Sequence, residues 1–215
     1  MCNSEAVGSD AIEVGSLLRR GRDLQDAAVV AARAFHDDPF FEYLDPRPIT
    51  RARGLVIFWR ATLAALGPTA VLTGARRSDG RLVGVAAVVP PGGYPLTAAG
   101  QARQMVGAFR AMIVRPPALR DGLRYLLAID KAHPKEPVSY LLLLVVDPSA
   151  QRRGLGARLQ EGMLTTADRD GLDCYLETQK QENLAYYRRF GYEVADELRP
   201  VKAGPSLWTM RRPAR

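Results

Sequence analysis

Two hydrophobic rhythms alternate along the chain. Ile12–Leu18 is a short β-prone run. Behind it Leu24, Ala28, Ala31 and Phe35 recur at helical spacing, with Asp23 placed to cap that helix. "HDDPFFEYLDPRP" (36–48) holds three prolines and predicts irregular chain. Leu55, Phe58, Trp59, Leu63 and Leu66 then mark one face of a second helix over Arg51–Leu66. The runs "TAVLTGARR" and "RLVGVAAVV" flank a Ser-Asp-Gly turn and predict a hairpin. Helices are expected over Thr97–Val114 and Pro117–Lys131, separated by "RPP".

Val138–Val146 is a continuous apolar strand and ends in Asp-Pro. After a glycine-bearing turn, Leu155, Leu159, Met163 and Ala167 form the inner face of another helix. The strand "LDCYLET", the short helix "NLAYYRRF" and the closing strands "GYEVADEL" and "SLWTMRR" follow. The order is β-α-α-β-β-α-α-β-α-β-α-β-β. The strand–turn–helix–strand unit in the middle predicts a parallel crossover, and the hairpins predict antiparallel flanks. The fold class is therefore α/β (α+β): a mixed sheet with helices on both faces.

Length and composition narrow this only a little. The 215 residues suit one domain, read as 11–215 behind a disordered tail over 1–10. That tail has no apolar core of a signal peptide, and Tyr140–Val146 is far short of the roughly 20 residues of a membrane helix. A soluble cytoplasmic protein with no membrane partner is expected. Cys2 and Cys174 make no disulfide framework, and with only His36 and His133 beside them no metal site is expected. The net charge of +7 favours anionic partners. Its Lys and Arg residues are scattered, however, without the aromatic interleaving that stacks bases, so a phosphorylated small molecule is favoured over nucleic acid.

The turn "QRRGLG" spans Gln151–Gly156. It matches neither a P-loop nor a dinucleotide fingerprint, since Leu159 stands where a third glycine would be. A helix N-terminus still offers unpaired amides and about half a positive charge, and glycines let a ligand approach the backbone. Arg152, Arg153 and Arg158 add charge, which suits a pyrophosphate. The six residues alone also fit a plain strand–helix turn with surface arginines.

In context, "VVDPSAQRRGLGARL" resembles the acetyl-CoA-binding motif of the GNAT superfamily of N-acetyltransferases, read here as Gln151-x-x-Gly154-x-Gly156. "NLAYYRRFGYEV" resembles the second family motif through Asn183, Tyr187, Gly191 and Tyr192. Together the motifs cover roughly Val138–Val194. The resemblance implies a mostly antiparallel sheet of about six or seven strands, with a parallel pair splayed at an acetyl-CoA cleft. Pantetheine would pair with the backbone of Leu144, Val145 and Val146. The pyrophosphate would sit on the amides of Gln151, Arg152, Arg153, Gly154, Leu155, Gly156 and Ala157. Asn183 would touch the pantetheine region, and Tyr187 would approach the thioester sulfur. "LET…ENLAYYRRFGYEV…GPSLWTM" is further similar to the subgroup containing puromycin N-acetyltransferases, although Tyr192 stands where Phe is commoner.

Acetyl transfer to an amine needs a base, an oxyanion donor and an acid. The resemblance implies Tyr187 as the acid. The Val146 amide, at a strand end, is the candidate oxyanion donor. Glu177, ending "CYLET", is the best-placed carboxylate for the base, while a water chain or an edge glutamate facing solvent remain open. Asp37 and Asp38 beside Phe40 and Phe41 are candidates for gripping a cationic amine, with Trp208 as a further aromatic wall. Cys174 is disfavoured as a nucleophile, having no nearby His in sequence. The expected partners are acetyl-CoA and a small amine, an antibiotic or other specialised metabolite. A polypeptide acceptor, a non-catalytic acyl-CoA-binding or nucleic-acid-binding module, and a homodimer stay open.

Overall fold

Seven strands lie in one sheet in the computed structural model, which describes residues 11–112 and 116–215. They are β1 (Ile12–Ser16), β2 (Val71–Arg77), β3 (Leu82–Val89), β4 (Val138–Val146), β5 (Asp173–Thr178), β6 (Glu193–Leu198) and β7 (Leu207–Arg212), ordered β1-β2-β3-β4-β5-β7-β6. Every neighbouring pair is antiparallel except β4–β5, which is parallel. The predicted fold class is what the chain adopts. The expected tail over 1–10, with Cys2, and the end of the helix predicted to reach Val114 lie outside the described residues.

The helices are α1 (Gly21–Ala34), α2 (Pro39–Leu44), α3 (Pro48–Ala65), α4 (Ala98–Met112), α5 (Pro116–Ala132), α6 (Leu155–Arg169) and α7 (Glu182–Arg188). Two local expectations need correction. The proline-rich stretch holds a helix, α2, because Pro39 takes its first turn, where a missing N–H costs nothing. Asp38 caps it through Phe40 N–H (3.0 Å). Asp23 is not the cap residue of α1. It sits in the first turn and accepts from Leu18 N–H (2.9 Å), outside the helix.

Helices cover both faces of the sheet. α1 and α3 bury Ala28, Ala31, Leu55 and Leu63 against Val85, Leu143 and Val145 on one face. On the other face, α6 places Leu155 and Leu159 against Val83 and Ala86, and Met163 against Leu141 and Leu176. The α6 end is tied down by Arg212, whose guanidinium donates to both carboxylate oxygens of Asp168 (2.6 and 2.8 Å).

One irregularity positions everything that follows. The β3–β4 register passes from Ala87↔Leu143 to Val88↔Leu141, leaving Leu142 as a bulge. Leu142 and Leu143 consequently face the same layer as Tyr140 and Val145. A bulge bends its strand and raises its twist. The β4–β5 ladder stops at Tyr140↔Tyr175, and beyond that rung the two strands separate.

α4 closes the molecule over α3. Gly107 is buried there, and a Cβ on it would overlap the Ala61 side chain. Gly107→Val should therefore wedge the helices apart, overpacking the contact at a cost of about 1–3 kcal/mol. Urea unfolding would show a lower midpoint; an unchanged midpoint would mean that this contact is loose.

Candidate active site

The site follows from the parted strands. Asp147 N–H donates to Val83 C=O (2.8 Å), which makes that rung a hydrogen-bonded one. The alternation of an antiparallel ladder then turns the N–H and C=O groups of Leu144 and Val146 away from β3 and into the gap. The Val146 carbonyl accepts from Gln151 Nε2 (3.1 Å), which holds the start of the turn against the strand end. Val145 points its backbone at β3 and its side chain into the core.

The turn itself is strongly shaped. Arg152 (φ 63°) and Gly154 (φ 73°) both take left-handed backbone, and Gly154 caps α6. Arg152, Arg153 and Gly154 are exposed, and Leu155 packs inward. Space around the Gly154 Cα is open, so its requirement is the positive φ. Gly156 has a different reason to be small: a Cβ would press on the Tyr186 hydroxyl, which accepts from Gln160 Nε2 (3.1 Å). Ala157 follows, half-buried, in the first turn of α6. This N-terminus presents its amides without a side-chain cap, next to exposed arginines. Backbone groups in the gap and an uncapped basic turn at its end fit the pantetheine arm and pyrophosphate of a coenzyme A thioester.

Behind the gap lies a cavity of about 340 Å³. Glu177, Asn183 and Tyr187 line it together with Leu141–Leu144. Asn183 donates to Thr178 Oγ1 (3.0 Å), fixing the start of α7 to the end of β5. Tyr187 is buried, with its ring edge-on to Tyr186 and Tyr192 (centroids 5.1 and 5.7 Å), and burial pushes its phenol pKa up. Glu177 Oε2 accepts from the Tyr140 hydroxyl (2.7 Å), while its Oε1 is buried without a partner. Burial raises the Glu177 pKa to about 7, against the opposing hydrogen bond of Tyr140.

The other sequence candidates divide. Phe40 and Phe41 line the cavity. Asp38 is buried (2% exposed) and occupied as the α2 cap; burial lifts its pKa to about 6, and Lys180 opposes the shift. Asp37 is exposed, with its Oδ1 2.6 Å from His36 Nδ1. Trp208 packs in the cluster around Leu184 and Tyr187 and is not among the described lining residues. Cys174 is fully buried, and burial pushes its thiol pKa up. Sequence reasoning missed Tyr140, Asp130, Tyr94 and Thr62, which all line the cavity. Tyr140 was hidden in an apolar run, and its hydroxyl was the available signal.

A sheet opened between two parallel strands, with an anion-ready turn at the opening, is the frame of an acyl-CoA-dependent transferase. The model of the acetyltransferase (GNAT) family matches residues 31–192, and the chain belongs to that family, whose members use acetyl-CoA. Solved structures share the fold. One is described as histone acetyltransferase HPA2 and related acetyltransferase from Corynebacterium glutamicum (21% identity, 96% of this chain and 98% of that one, TM-score 0.62). Another is arylalkylamine N-acetyltransferase 2 from Aedes aegypti (13%, 96% and 100%, TM-score 0.57). A third is PaiA N-acetyltransferase from Thermoplasma acidophilum in complex with coenzyme A (15%, 94% and 99%, TM-score 0.52). Among the described residues no helix is long and apolar enough to cross a membrane, and no group of three or more His, Cys, Asp and Glu gathers as a metal would need.

The Glu177 environment carries a stability consequence. Its pKa is raised in the folded state, so the unfolded chain releases its proton first as pH rises. Folding stability is therefore intact below about pH 4.5 and declines towards pH 7 as the buried carboxyl must ionise. Glu177→Gln removes this loss. The variant should gain roughly 2–3 kcal/mol relative to wild type on moving from pH 5 to pH 8. Urea unfolding at the two pH values checks it; a pH-independent difference would mean that Glu177 is well solvated.

Proposed function

We propose that the protein transfers an acetyl group from acetyl-CoA to the primary amine of a small molecule, with Glu177 as base and Tyr187 as general acid. The observation that carries this reading is the meeting of Glu177, Tyr187 and Leu144 at one cavity, just past the point where β4 and β5 part. When bound, acetyl-CoA supplies an acyl thioester that an amine attacks and whose sulfur departs as thiolate. Leu144 and Val146 would hold the pantetheine arm through backbone groups, with Asn183 beside it. The amides of Gln151–Ala157, with Arg152 and Arg153, would hold the pyrophosphate. The Val146 N–H faces the gap, where it can donate to a developing oxyanion.

The proton roles follow from the two environments. Oε1 of Glu177 is unpartnered, and a carboxyl poised at about 7 accepts a proton near neutral pH and gives it up again. Tyr187 Oη stays protonated at that pH because burial disfavours the phenolate, so it is a donor. The small acceptor is supported by the helices α2, α3, α4 and α5, which wall the cavity with Phe41, Trp59, Met105 and Leu127. A polypeptide would need an open groove instead. The similarity of the C-terminal segment to the puromycin N-acetyltransferase subgroup points to the same kind of acceptor, an antibiotic or specialised metabolite.

Tyr187→Phe should lower kcat by roughly 10²–10⁴ while coenzyme A affinity, measured by calorimetry, stays within about threefold. Wild-type kcat with chemistry rate-limiting would leave the tyrosine a packing role. In the wild type, kcat/KM should rise with pH through about 7 as Glu177 ionises, and Glu177→Gln should abolish that limb. Retention of the limb in the variant would assign it to another group. Gly154→Val forces a β-branched residue into φ 73°; coenzyme A should bind at least tenfold more weakly, and unchanged affinity in a folded variant would remove the turn from the cofactor site.

A further inference from the structure

Two orphaned polar atoms belong to residues that line the cavity. Trp59 Nε1 and Thr62 Oγ1 are both buried without a hydrogen-bond partner, in residues 7% and 3% exposed. They lie three residues apart on α3, so one face of that helix carries both. Both residues line the same 340 Å³ cavity as Glu177 and Tyr187. A buried donor left unpaired is costly, and a matching ligand would recover that cost.

We propose that Trp59 and Thr62 form a subsite that recognises a neutral hydrogen-bond acceptor, such as an amide carbonyl, an ether oxygen or a ring nitrogen, on the ring body of the acceptor amine. The proposal rests on the small-amine reading above and narrows its substrate class. Indole N–H only donates, so the ligand atom facing it must bring a lone pair. The surroundings are aromatic: Trp59 stacks on Phe35 (centroids 4.8 Å, 25°), with Phe58 edge-on at 5.2 Å and Phe41 at 6.2 Å. Such a wall suits a flat ring. Among the described lining residues the charged side chains are Asp130 and Glu177, and none is Lys or Arg. An anionic group would be desolvated there with no counter-charge, whereas an ammonium would meet two carboxylates. The site thus selects a ring-bearing amine with a neutral polar substituent and rejects amines that also carry a carboxylate or phosphinate.

Three probes share one skeleton and separate these terms: 4-(2-aminoethyl)benzamide, 4-ethylphenethylamine and 4-(2-aminoethyl)benzoate. The chain has two tryptophans, so in Trp208→Phe the emission of Trp59 alone reports binding, with coenzyme A present. The benzamide should bind at least about tenfold more tightly than the ethyl compound, and the benzoate most weakly. Thr62→Val, nearly isosteric, should cut the benzamide preference to within about threefold and leave the ethyl compound unchanged. Trp59→Phe should do the same to the ratio of kcat/KM values from thiol release. Equal binding of benzamide and ethyl compound, preference for the benzoate, equal weakening of both neutral probes in Thr62→Val, or no emission change with any probe would each overturn the subsite. A trapped water satisfying both atoms would give the first of these results. Benzamide preference without any thiol release would instead keep the subsite and overturn the acetyl-transfer reading.

Discussion

The parting of β4 from β5 is the constraint on which the rest depends. Two parallel strands that stayed paired to their ends would consume the backbone groups of Leu144 and Val146 and bury Glu177 in a closed sheet. The ladder instead ends at Tyr140↔Tyr175, two residues before Glu177. The Leu142 bulge bends β4 away just past that rung. The rings of Tyr140 and Tyr175 (centroids 5.7 Å apart) form the floor of the fork, and the Tyr140 hydroxyl crosses it to Glu177. One interruption of pairing thereby supplies free backbone donors, a cavity and a carboxyl in its lining. Tyr187 and Asn183 complete the opposite side because Thr178, at the end of β5, anchors α7.

Much of this was legible in the sequence, for physical reasons that differ by element. The helix faces of α1, α3 and α6 follow a 3.6-residue period that tertiary packing did not alter. The Gln151–Gly156 turn was visible because glycine is the residue that left-handed backbone demands at Gly154. Its neighbour Arg152 was not, since arginine carries no such mark, yet it adopts φ 63°. The bulge was invisible for another reason. Leu141 to Leu144 are identical side chains, and a run of leucines cannot show on which residue the alternation slips. Helix α2 was lost because proline was read as a breaker where it opens a helix. Glu177 and Phe40–Phe41 could be proposed for one site by residue type. Asp37 and Trp208 were offered on the same grounds but are not among the described lining residues, and only the chain path separates the two cases.

Charge is divided along the fork in a way that the net value of +7 conceals. The turn at its outer end carries Arg152 and Arg153 beside an uncapped helix N-terminus, a field that attracts phosphates. The described cavity lining behind it carries Asp130 and Glu177 and no Lys or Arg, a field that attracts an ammonium. Tyr94 donates to Asp130 (3.3 Å) and so holds one of these carboxylates at the wall. On the proposed function, a nucleotide thioester and a cationic amine would be drawn to different ends of the opening. Glu177 lies in the second of these fields, and burial lifts its carboxyl to about 7. Burial is the cause of that value: a carboxylate paired with an arginine would be a weaker base, whereas, on the proposed function, one withdrawn into an apolar fork takes a proton from an amine and releases it to solvent.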